Sequence, residues 1–357
     1  MSTQPRRAQV SAMLEMLPPF ALRVAATLRL SDHIAAGYDR LPELARAAGA
    51  DPDALGRLLR YLVLLNVYRE PEPGTFAVTP AGRMLSDAHP ASLRTWLDLD
   101  GPGGRMDLAL GGLLHAVRTG EPGFPAVFGH SFWDDLAERP GRQQTFDSLM
   151  AGKSTRVITD LVAEPGWADA THVVDVGGGN GSTLIALLTA HPHLRGTLVD
   201  LPGPAERARA AAAEAGLSDR FSVVGGSFLD GVPEGGDVYL LFDILHDWDD
   251  TTARAILGGC ARACAPGGRV LVVEELPAGP ADVVGAAMDL KMLTLFAGRQ
   301  RDAGALAGLA DEVGLRADDG VRLRSGFSVV TCQTVLARTA TPRTATPRTV
   351  TAVEVAR

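Results

Sequence analysis

Two acidic residues flank a glycine-dense segment that could bind a small ligand. Asp175 stands two residues before Gly177, and further glycines follow at Gly179 and Gly181. Asp200 ends the next hydrophobic run of the chain. An acid at that place can hold both hydroxyls of a ribose, and Asp175 can orient an amino group through a water molecule. The spacing therefore favours a ligand that carries both groups.

His246 is the candidate base of the chain. It follows the fourth predicted strand, at the end of the sheet where the glycine loop should also open. An imidazole with a pKa of about 6.5 suits a base that works around neutral pH. A lone histidine is more often a structural or surface residue, and that interpretation stays open at this point.

The strands and helices that must position these residues alternate along the chain, and this alternation predicts an α/β fold with a Rossmann-like doubly wound sheet. Strands are expected at residues 172–176, 197–200, 221–224, 237–242 and 269–274, with late strands at 327–336 and helices between them, as at 205–215 and 252–265. Ser182 stands where a dinucleotide fingerprint would have its third glycine. A dinucleotide site is thus the weaker prediction, and a glycine-rich turn of another α/β protein stays an alternative.

Residues 14–95 predict a mainly helical, winged-helix-like domain. Asp51 is the expected cap of its second short helix, and a strand is expected before Pro80. This arrangement raises DNA binding as an alternative. The candidate recognition helix offers only Arg57 and Arg60 as basic groups, and the net charge of the chain is −8. Dimerisation is therefore favoured over a nucleic-acid partner.

The remaining segments differ in composition. We expect a flexible start at 1–13, a helical linker with substrate-pocket residues at 96–165, and a cofactor-binding catalytic domain at 166–337. Residues 338–357 begin with a repeated Arg-Thr-Ala-Thr-Pro sequence, which predicts a disordered low-complexity tail.

Composition excludes several classes of protein. Hydrophobic residues make up 46% of the chain, but no apolar run reaches the length of a membrane helix, and the start lacks a secretory apolar region. A cytoplasmic protein without a membrane partner is expected. Cys260, Cys264 and Cys332 are too few for a disulfide framework. No further ligands stand near Cys260 and Cys264, so no metal cofactor is predicted.

Four stretches then match a known family in order and interval. They are SFWDDL at 131–136, FDSLM at 146–150, LHDWDD at 245–250 and AGRQR at 297–301. With the winged-helix start and the glycine loop, they make residues 14–336 resemble the homodimeric class I S-adenosylmethionine-dependent O-methyltransferases of the caffeic acid and bacterial polyketide type. Residues 195–201 and 203–209 look most like anthracycline-tailoring enzymes. The resemblance implies a homodimer, S-adenosylmethionine as cofactor with S-adenosylhomocysteine as product, and a small aromatic or polyketide-like acceptor.

The resemblance also implies the cofactor contacts. The methionine portion would face the glycine loop, the ribose would meet Asp200, and the adenine would lie at Ser227 and Phe228. Many relatives have an acid where Ser227 stands, so its polar contact with adenine would be weaker here. The complete implied set is Gly177, Asp175, Gly179, Asp200, Ser227, Phe228, Ser154 at the methionine carboxylate and Trp248 closing the cavity.

Three residues are implied as catalytic, His246, Glu274 and Asp247. His246 would be the general base, and Glu274 matches the acid that orients the histidine in caffeic-acid-type enzymes. Gln300 stands where those relatives have a second acid, so it can hydrogen-bond but carries no charge. Base strength would then rest on Glu274 or on Asp247.

Aromatic and sulfur side chains form the expected substrate pocket. Ordinary core packing is the alternative for these residues, because Met288, Met292 and Phe296 simply recur every four residues along one helix. The predicted pocket residues are Trp133, Met150, Met288, Met292, Phe296 and Gln300.

Methyl transfer to a hydroxyl of an aromatic molecule in secondary metabolism is the function that the resemblance favours. One alternative is a divergent relative that keeps the cofactor but decarboxylates or hydroxylates a polyketide. Another is a non-catalytic winged-helix binding protein. The acceptor and the hydroxyl that is methylated stay undetermined from the sequence.

Overall fold

A computed structural model describes residues 10–11, 13–279 and 282–335. The predicted tail at 338–357 lies outside these residues, as does the predicted flexible start at 1–13 except for residues 10, 11 and 13. The predicted domain boundaries after residues 95 and 165 stay predictions.

The N-terminal part combines short helices with one small hairpin. Asp51 caps the fourth helix because its side chain accepts a hydrogen bond from the amide of Ala54 at 2.9 Å. The strand before Pro80 is present, and it pairs antiparallel with a strand that the sequence analysis did not predict. The elements are α1 (Leu17–Thr27), α2 (Leu30–Ala35), α3 (Leu41–Ala48), α4 (Pro52–Leu64), β1 (Tyr68–Glu72), β2 (Thr75–Val78) and α5 (Pro80–Arg83).

A helical region leads from this part to the sheet. Its longest helix carries side chains from the aromatic region towards the carboxyl ends of the strands. The elements are α6 (Arg94–Leu97), α7 (Pro102–Leu108), a 3₁₀ turn (Ala109–Gly112), α8 (Leu113–Thr119), α9 (Gly123–Phe128), α10 (Phe132–Ala137), α11 (Pro140–Val162) and a 3₁₀ turn (Pro165–Trp167).

The rest of the described chain alternates strands and helices, as predicted. One 3₁₀ turn, Leu245–Asp247, is called the histidine turn below. The other elements are β3 (His172–Val176), α12 (Ser182–Ala190), β4 (Arg195–Asp200), α13 (Pro202–Glu214), β5 (Phe221–Gly225), β6 (Val238–Phe242), α14 (Asp250–Ala263), β7 (Arg269–Glu274), α15 (Val283–Phe296), α16 (Ala303–Glu312), β8 (Leu315–Ala317), β9 (Val321–Arg322) and β10 (Ser328–Thr334).

The strand order places the site. The sheet runs β5-β4-β3-β6-β7-β10-β8, and β9 pairs with β10. Strands β5, β4, β3, β6 and β7 are parallel, whereas β10 is antiparallel to β7. The chain order reverses between β3 and β6, and ligands of doubly wound sheets bind at the carboxyl ends of strands at such a switch point. The glycine loop after β3 and the histidine turn after β6 therefore meet there, and the predicted fold class is confirmed.

The two faces of the sheet are both covered, as the alternation of side chains along a strand requires. Val173 packs with Leu184 and Ala208 of α12 and α13, while its neighbour Val174 packs with Ile256 of α14 on the opposite face. This burial on both faces explains why the strands read as continuous hydrophobic runs. Among the described residues, no helix is long and apolar enough to span a membrane.

Candidate active site

The glycine loop folds into a conformation that other residues adopt poorly. Gly177, Gly179 and Gly181 all have positive φ, at 74°, 59° and 79°. A Cβ atom at Gly177 would lie 2.5 Å from Cδ1 of Ile244, and one at Gly178 would lie 2.6 Å from Oδ2 of Asp175. The glycines are therefore needed both for the backbone turn and for close packing against the segment before the histidine turn.

Two carboxylates stand beside this loop, as predicted. Asp200 accepts hydrogen bonds from the amides of Gly179 at 2.8 Å and Leu201 at 2.6 Å. Asp175 is 1% exposed, and its Oδ2 atom has no hydrogen-bond partner within the described part of the chain. Burial and the charge of Asp200 raise the pKa of Asp175 to about 7. A buried acceptor that lacks a partner fits a ligand with a donor such as an amino group.

The loop after β5 and the end of the histidine turn close one side of this region. The rings of Phe228 and Trp248 meet edge to face at 5.9 Å. A Cβ at Gly177 would lie 3.4 Å from Cε1 of Phe228, so Phe228 borders the glycine loop. Ser227 accepts a hydrogen bond from the amide of Leu229 at 3.2 Å. The structure thus brings the predicted adenine contacts next to the predicted methionine contacts.

Ser154 lies on α11 and is partly exposed. Its hydroxyl donates to the carbonyl of Met150 in the previous turn at 2.8 Å. In this intrahelical bond the hydroxyl proton is already donated, so the hydroxyl oxygen can only accept a further hydrogen bond. The predicted contact of Ser154 with the methionine carboxylate would need the hydroxyl to rotate.

His246 is held in the histidine turn between carboxylates. Its ring Nδ1 lies 3.5 Å from Oδ1 of Asp243, and its Nε2 lies 3.3 Å from Oδ1 of Asp247. Burial lowers the pKa of His246, but the charges of Asp243 and Asp247 outweigh it and raise the pKa to about 10. The ordinary value of about 6.5 used in the sequence analysis therefore does not apply in this environment.

Glu274 meets His246 through the backbone. Its Oε1 accepts a hydrogen bond from the amide nitrogen of His246 at 3.0 Å, while Oε2 has no partner within the described residues. The side chain is fully buried, and burial raises its pKa. Glu274 thus fixes the turn that carries the imidazole, and the ring itself faces other acids.

Asp243 and Lys153 are functional residues that were not predicted from the sequence. Asp243 follows β6 directly, and its Oδ2 accepts a hydrogen bond from Nζ of Lys153 at 2.6 Å. Burial raises the pKa of Asp243, but His246 and Lys153 more than reverse this and lower it. The rarity of lysine was the one signal in the sequence that could have pointed to Lys153, because Lys153 and Lys291 are the only lysines of the chain.

Arg301 is a third residue without a predicted role. Its guanidinium is 1% exposed and donates to the carbonyls of Leu245 and Trp248, each at 2.7 Å. The amide of Arg299 donates to the carbonyl of His246 at 2.9 Å. The segment around Arg301 therefore holds the histidine turn by its backbone.

Four of the six predicted pocket residues, Trp133, Met288, Met292 and Phe296, come together in one aromatic cluster, and Met150 and Gln300 are not among its members. The rings of Trp133 and Phe296 stack at 5.3 Å with an angle of 14° between their planes. Phe132 packs edge to face against both and against Phe146. Buried or partly buried members of this cluster also include Met106, Phe124, Met288 and Met292. Small-molecule sites are lined mostly by apolar and aromatic side chains, so this cluster is a candidate wall for a flat apolar ligand.

Gln300 lies between this cluster and the histidine turn. Its amide donates to Oδ1 of Asp289 at 2.8 Å, which connects it to α15. Its side-chain Oε1 is buried and has no hydrogen-bond partner within the described residues. Gln300 therefore offers an acceptor that a bound hydroxyl could use.

One acidic cluster outside this site has atoms close enough to share a metal ion. In the described ranges, ligand atoms of His130, Asp135 and Glu138 lie within 4.8 Å of one another. Asp135 is buried and already accepts hydrogen bonds from Arg105 and Arg142, both at 2.7 Å. The positive charges of the two guanidinium groups on this carboxylate disfavour the binding of a metal cation there. The cluster is therefore an ion-pair network that joins α7, α10 and α11.

Comparison with known proteins decides the family. A model of the O-methyltransferase domain matches residues 111–316, more than half of the chain, and a model of the O-methyltransferase dimerisation domain matches residues 11–87. The chain belongs to the O-methyltransferase family. This O-methyltransferase is thus an enzyme, and the match of both domains rejects a purely non-catalytic winged-helix protein.

Individual relatives cover almost the whole O-methyltransferase. The 2,7-dihydroxy-5-methyl-1-naphthoate 7-O-methyltransferase of Streptomyces carzinostaticus is 47% identical over 304 residues, 85% of this chain and 91% of that protein. The aclacinomycin 10-hydroxylase RdmB of Streptomyces purpurascens is 44% identical over 310 residues, 84% of this chain and 82% of that protein. Two different reactions are therefore represented among similar proteins.

A solved structure supports the same assignment. The O-methyltransferase NcsB1 from neocarzinostatin biosynthesis, in complex with S-adenosylmethionine and 2-hydroxy-5-methyl naphthoic acid, has a TM-score of 0.86 and 45% sequence identity. The match covers 91% of this chain and 98% of that chain. The predicted methyl donor, S-adenosylmethionine, and the predicted homodimer through the N-terminal domain are confirmed.

Proposed function

We propose that this O-methyltransferase methylates a hydroxyl of an aromatic, polyketide-like molecule of secondary metabolism, with His246 as the general base. The observation that carries the proposal is the contact between the glycine loop and the segment before the histidine turn. Because Gly177 packs against Ile244, two residues before His246, the donor site and the imidazole adjoin at one switch point of the sheet. A methyl donor bound at the loop and a hydroxyl beside His246 would then be neighbours.

The aromatic cluster supports an aromatic acceptor. The stacked rings of Trp133 and Phe296 offer flat apolar surfaces, and Gln300 and Asp289 add polar groups at the edge. A similar enzyme acts on a dihydroxynaphthoate, and a similar structure contains a hydroxynaphthoic acid. A hydroxylated ring system of two or more fused rings is the acceptor class that this surface supports.

When bound, S-adenosylmethionine supplies a methyl group already activated on a sulfonium. The residues of the chain must then align the acceptor and accept its proton, and a positioned base typically contributes about 10²–10⁴-fold. Asp243 and Asp247 stabilise the imidazolium that forms when His246 takes this proton. With a pKa of about 10, the imidazole matches a phenol but is mostly protonated at neutral pH.

Two consequences follow for the pH dependence. The rate should rise with pH as His246 loses its proton, because only the neutral imidazole can act as a base. The positive sulfonium of the donor should lower this pKa by charge repulsion, since a like charge disfavours the protonated form. The midpoint of the rise is therefore expected below about 10.

Hydroxylation is a second candidate, because a hydroxylase is 44% identical to this chain. Decarboxylation belongs to the same alternative. Both reactions can keep the donor-binding loop, so the loop does not separate them from methyl transfer. The placement of His246 between two carboxylates favours methyl transfer, because that reaction must remove a proton from the acceptor.

The proposal is tested by the mass of the product. The purified full chain is incubated with S-adenosylmethionine carrying a trideuterated methyl group and with dihydroxynaphthoates, catechols and an aminophenol. A product that gains one labelled methyl on oxygen is expected, with a large loss of rate in His246→Ala. His193→Ala is the matched control, because His193 lies at the opposite end of the sheet. A product that gains oxygen, loses carbon dioxide or carries the label on nitrogen would overturn the proposal.

We also infer a cytoplasmic location. Cys260, Cys264 and Cys332 are buried free thiols, as is usual in reducing compartments. Fractionation of producing cells should recover the activity with cytoplasmic markers. Recovery with the membrane or secreted fraction would contradict this location.

A further inference from the structure

Asp243 occupies a conformation that requires an explanation. Its φ angle is 60°, in the left-handed region, which non-glycine residues adopt at some cost. Its amide donates to the carbonyl of Val273 on the neighbouring strand β7 at 2.9 Å. This turn directs the carboxylate into the space between α11 and the histidine turn, where it meets Lys153 and His246. Strained residues held in this way often serve a site.

The two oxygens of Asp243 have different partners. Oδ2 accepts a hydrogen bond from Nζ of Lys153 at 2.6 Å, across 90 positions of sequence. Oδ1 lies 3.5 Å from Nδ1 of His246, a charge contact longer than a usual hydrogen bond, and neither atom has a hydrogen-bond partner within the described residues. Lys153 thereby fixes the plane of the carboxylate and leaves its free oxygen towards the ring.

We propose that Asp243, held by Lys153, is the carboxylate that positions the His246 imidazole for proton transfer. This inference rests on the proposed role of His246 as the base. Because Asp243 faces Nδ1, the proton of the acceptor would be taken at the other ring nitrogen, Nε2, so Asp243 acts through His246 and is a positioning residue.

Other charged groups around the imidazole leave this role to Asp243. Oε1 of Glu274, at the end of β7, accepts a hydrogen bond from the backbone amide of His246 and not from the imidazole ring. Asp247 belongs to the same turn and faces the opposite nitrogen, Nε2, at 3.3 Å. The groups that act on His246 or on Lys153 electrostatically are Asp243, Asp247, Glu274 and Glu275.

The pH profile of the methyl-transfer rate distinguishes this role from a structural one. Asp243→Asn removes a negative charge beside the imidazole, so the rise of kcat with pH should move to lower pH by about one unit or more, while the plateau falls about tenfold. Lys153→Met removes a positive charge, so the rise should move to higher pH. Asparagine tolerates the left-handed backbone well, so Asp243→Asn should fold.

Lys291→Met is the matched control for Lys153→Met. Lys291 is the other lysine of the chain, and it is paired with Asp107 at 3.2 Å, away from His246. Its pH profile should equal that of the wild-type enzyme. Opposite shifts for Asp243→Asn and Lys153→Met, with no shift for the control, would support the proposal.

Two results would overturn different statements. If His246→Ala loses rate while Asp243→Asn and Lys153→Met keep the wild-type profile, the inference about Asp243 is wrong and His246 remains the base. If His246→Ala keeps the full rate across the pH range, the role of His246 as base is wrong, and with it the reason for a positioning carboxylate. Thermal unfolding of each variant confirms that the measured protein is folded.

Discussion

Replacement of Arg301 by methionine should destabilise the enzyme far more than replacement of its neighbour Arg299. Arg301 is 1% exposed, and its guanidinium donates to the carbonyls of Leu245 and Trp248 at 2.7 Å each. Methionine fills much of the same volume but donates nothing. Arg301→Met therefore leaves the carbonyl of Trp248 without this partner and leaves that of Leu245 with only the amide of Trp248, at 3.2 Å.

The expected magnitude follows from the burial of these acceptors. A hydrogen bond from a charged donor contributes about 1.5–3 kcal/mol, and an orphaned buried acceptor costs a similar amount. The carbonyl of Leu245 is bonded in a buried environment, and that of Trp248 in a partly buried one that water can reach. We expect the free energy of unfolding to fall by about 3–5 kcal/mol. The lost pair with the half-exposed Asp250 should add less than about 1 kcal/mol.

Urea unfolding followed by circular dichroism measures this difference. Arg299→Met is the control, because the side chain of Arg299 is 62% exposed and pairs with the same Asp250 at 2.7 Å. A loss below about 1 kcal/mol is expected for it, as for other surface ion pairs. Equal losses for the two variants would refute the view that Arg301 holds the histidine turn through backbone carbonyls.

Three further predictions concern the donor loop, the pocket and an acid. Gly177→Ala should destabilise the fold by about 1–2 kcal/mol or more, since φ is 74° and the added methyl group would lie 2.5 Å from Ile244. Calorimetry should also show weaker binding of S-adenosylmethionine. Gly308→Ala is the control, because a methyl group there meets open space, and equal effects of the two substitutions would contradict this prediction. Trp133→Ala removes one stacked ring of the pocket, so steady-state kinetics should show a higher KM for the acceptor and an unchanged KM for the donor. Burial and the charge of Asp200 raise the pKa of Asp175 to about 7 in the folded state, so the folded state holds this proton more tightly than the unfolded state does. The free energy of unfolding should therefore fall as pH rises from about 4 to about 7. Urea unfolding of Asp175→Asn should not show this fall.

Much of the sheet could be predicted because local signals agreed there. Strands β3 and β7 have the bounds expected from their hydrophobic runs and flanking glycines. Strand β1 was missed because it contains Pro71, is mostly exposed, and gains its pairing only from β2. The antiparallel direction of β10 is likewise set by its partner strand, and the sequence of β10 alone does not contain it.

The site was predictable where residues follow strands and unpredictable where partners come from afar. Asp200 ends β4 and His246 lies four residues after the end of β6, so their position at the switch point followed from the fold. The pairing of Lys153 with Asp243 joins α11 to the end of β6, and the left-handed turn of Asp243 depends on its bond to β7. The elevated pKa of His246 comes chiefly from Asp243 and Asp247, which are three residues and one residue away along the chain, but their approach to the ring depends on the turn after β6.

The central claim is that His246 accepts the proton of the acceptor hydroxyl. The most direct test measures the rate ratio of wild type to His246→Ala for a series of aromatic acceptors whose hydroxyls differ in pKa. A base is needed only while the hydroxyl is protonated, so the ratio should be about 10²–10⁴ for ordinary phenols and should approach one for hydroxyls already ionised at the assay pH. A ratio that stays the same across the series would contradict the claim, because His246 would then support the fold or the binding of substrate and not the removal of a proton.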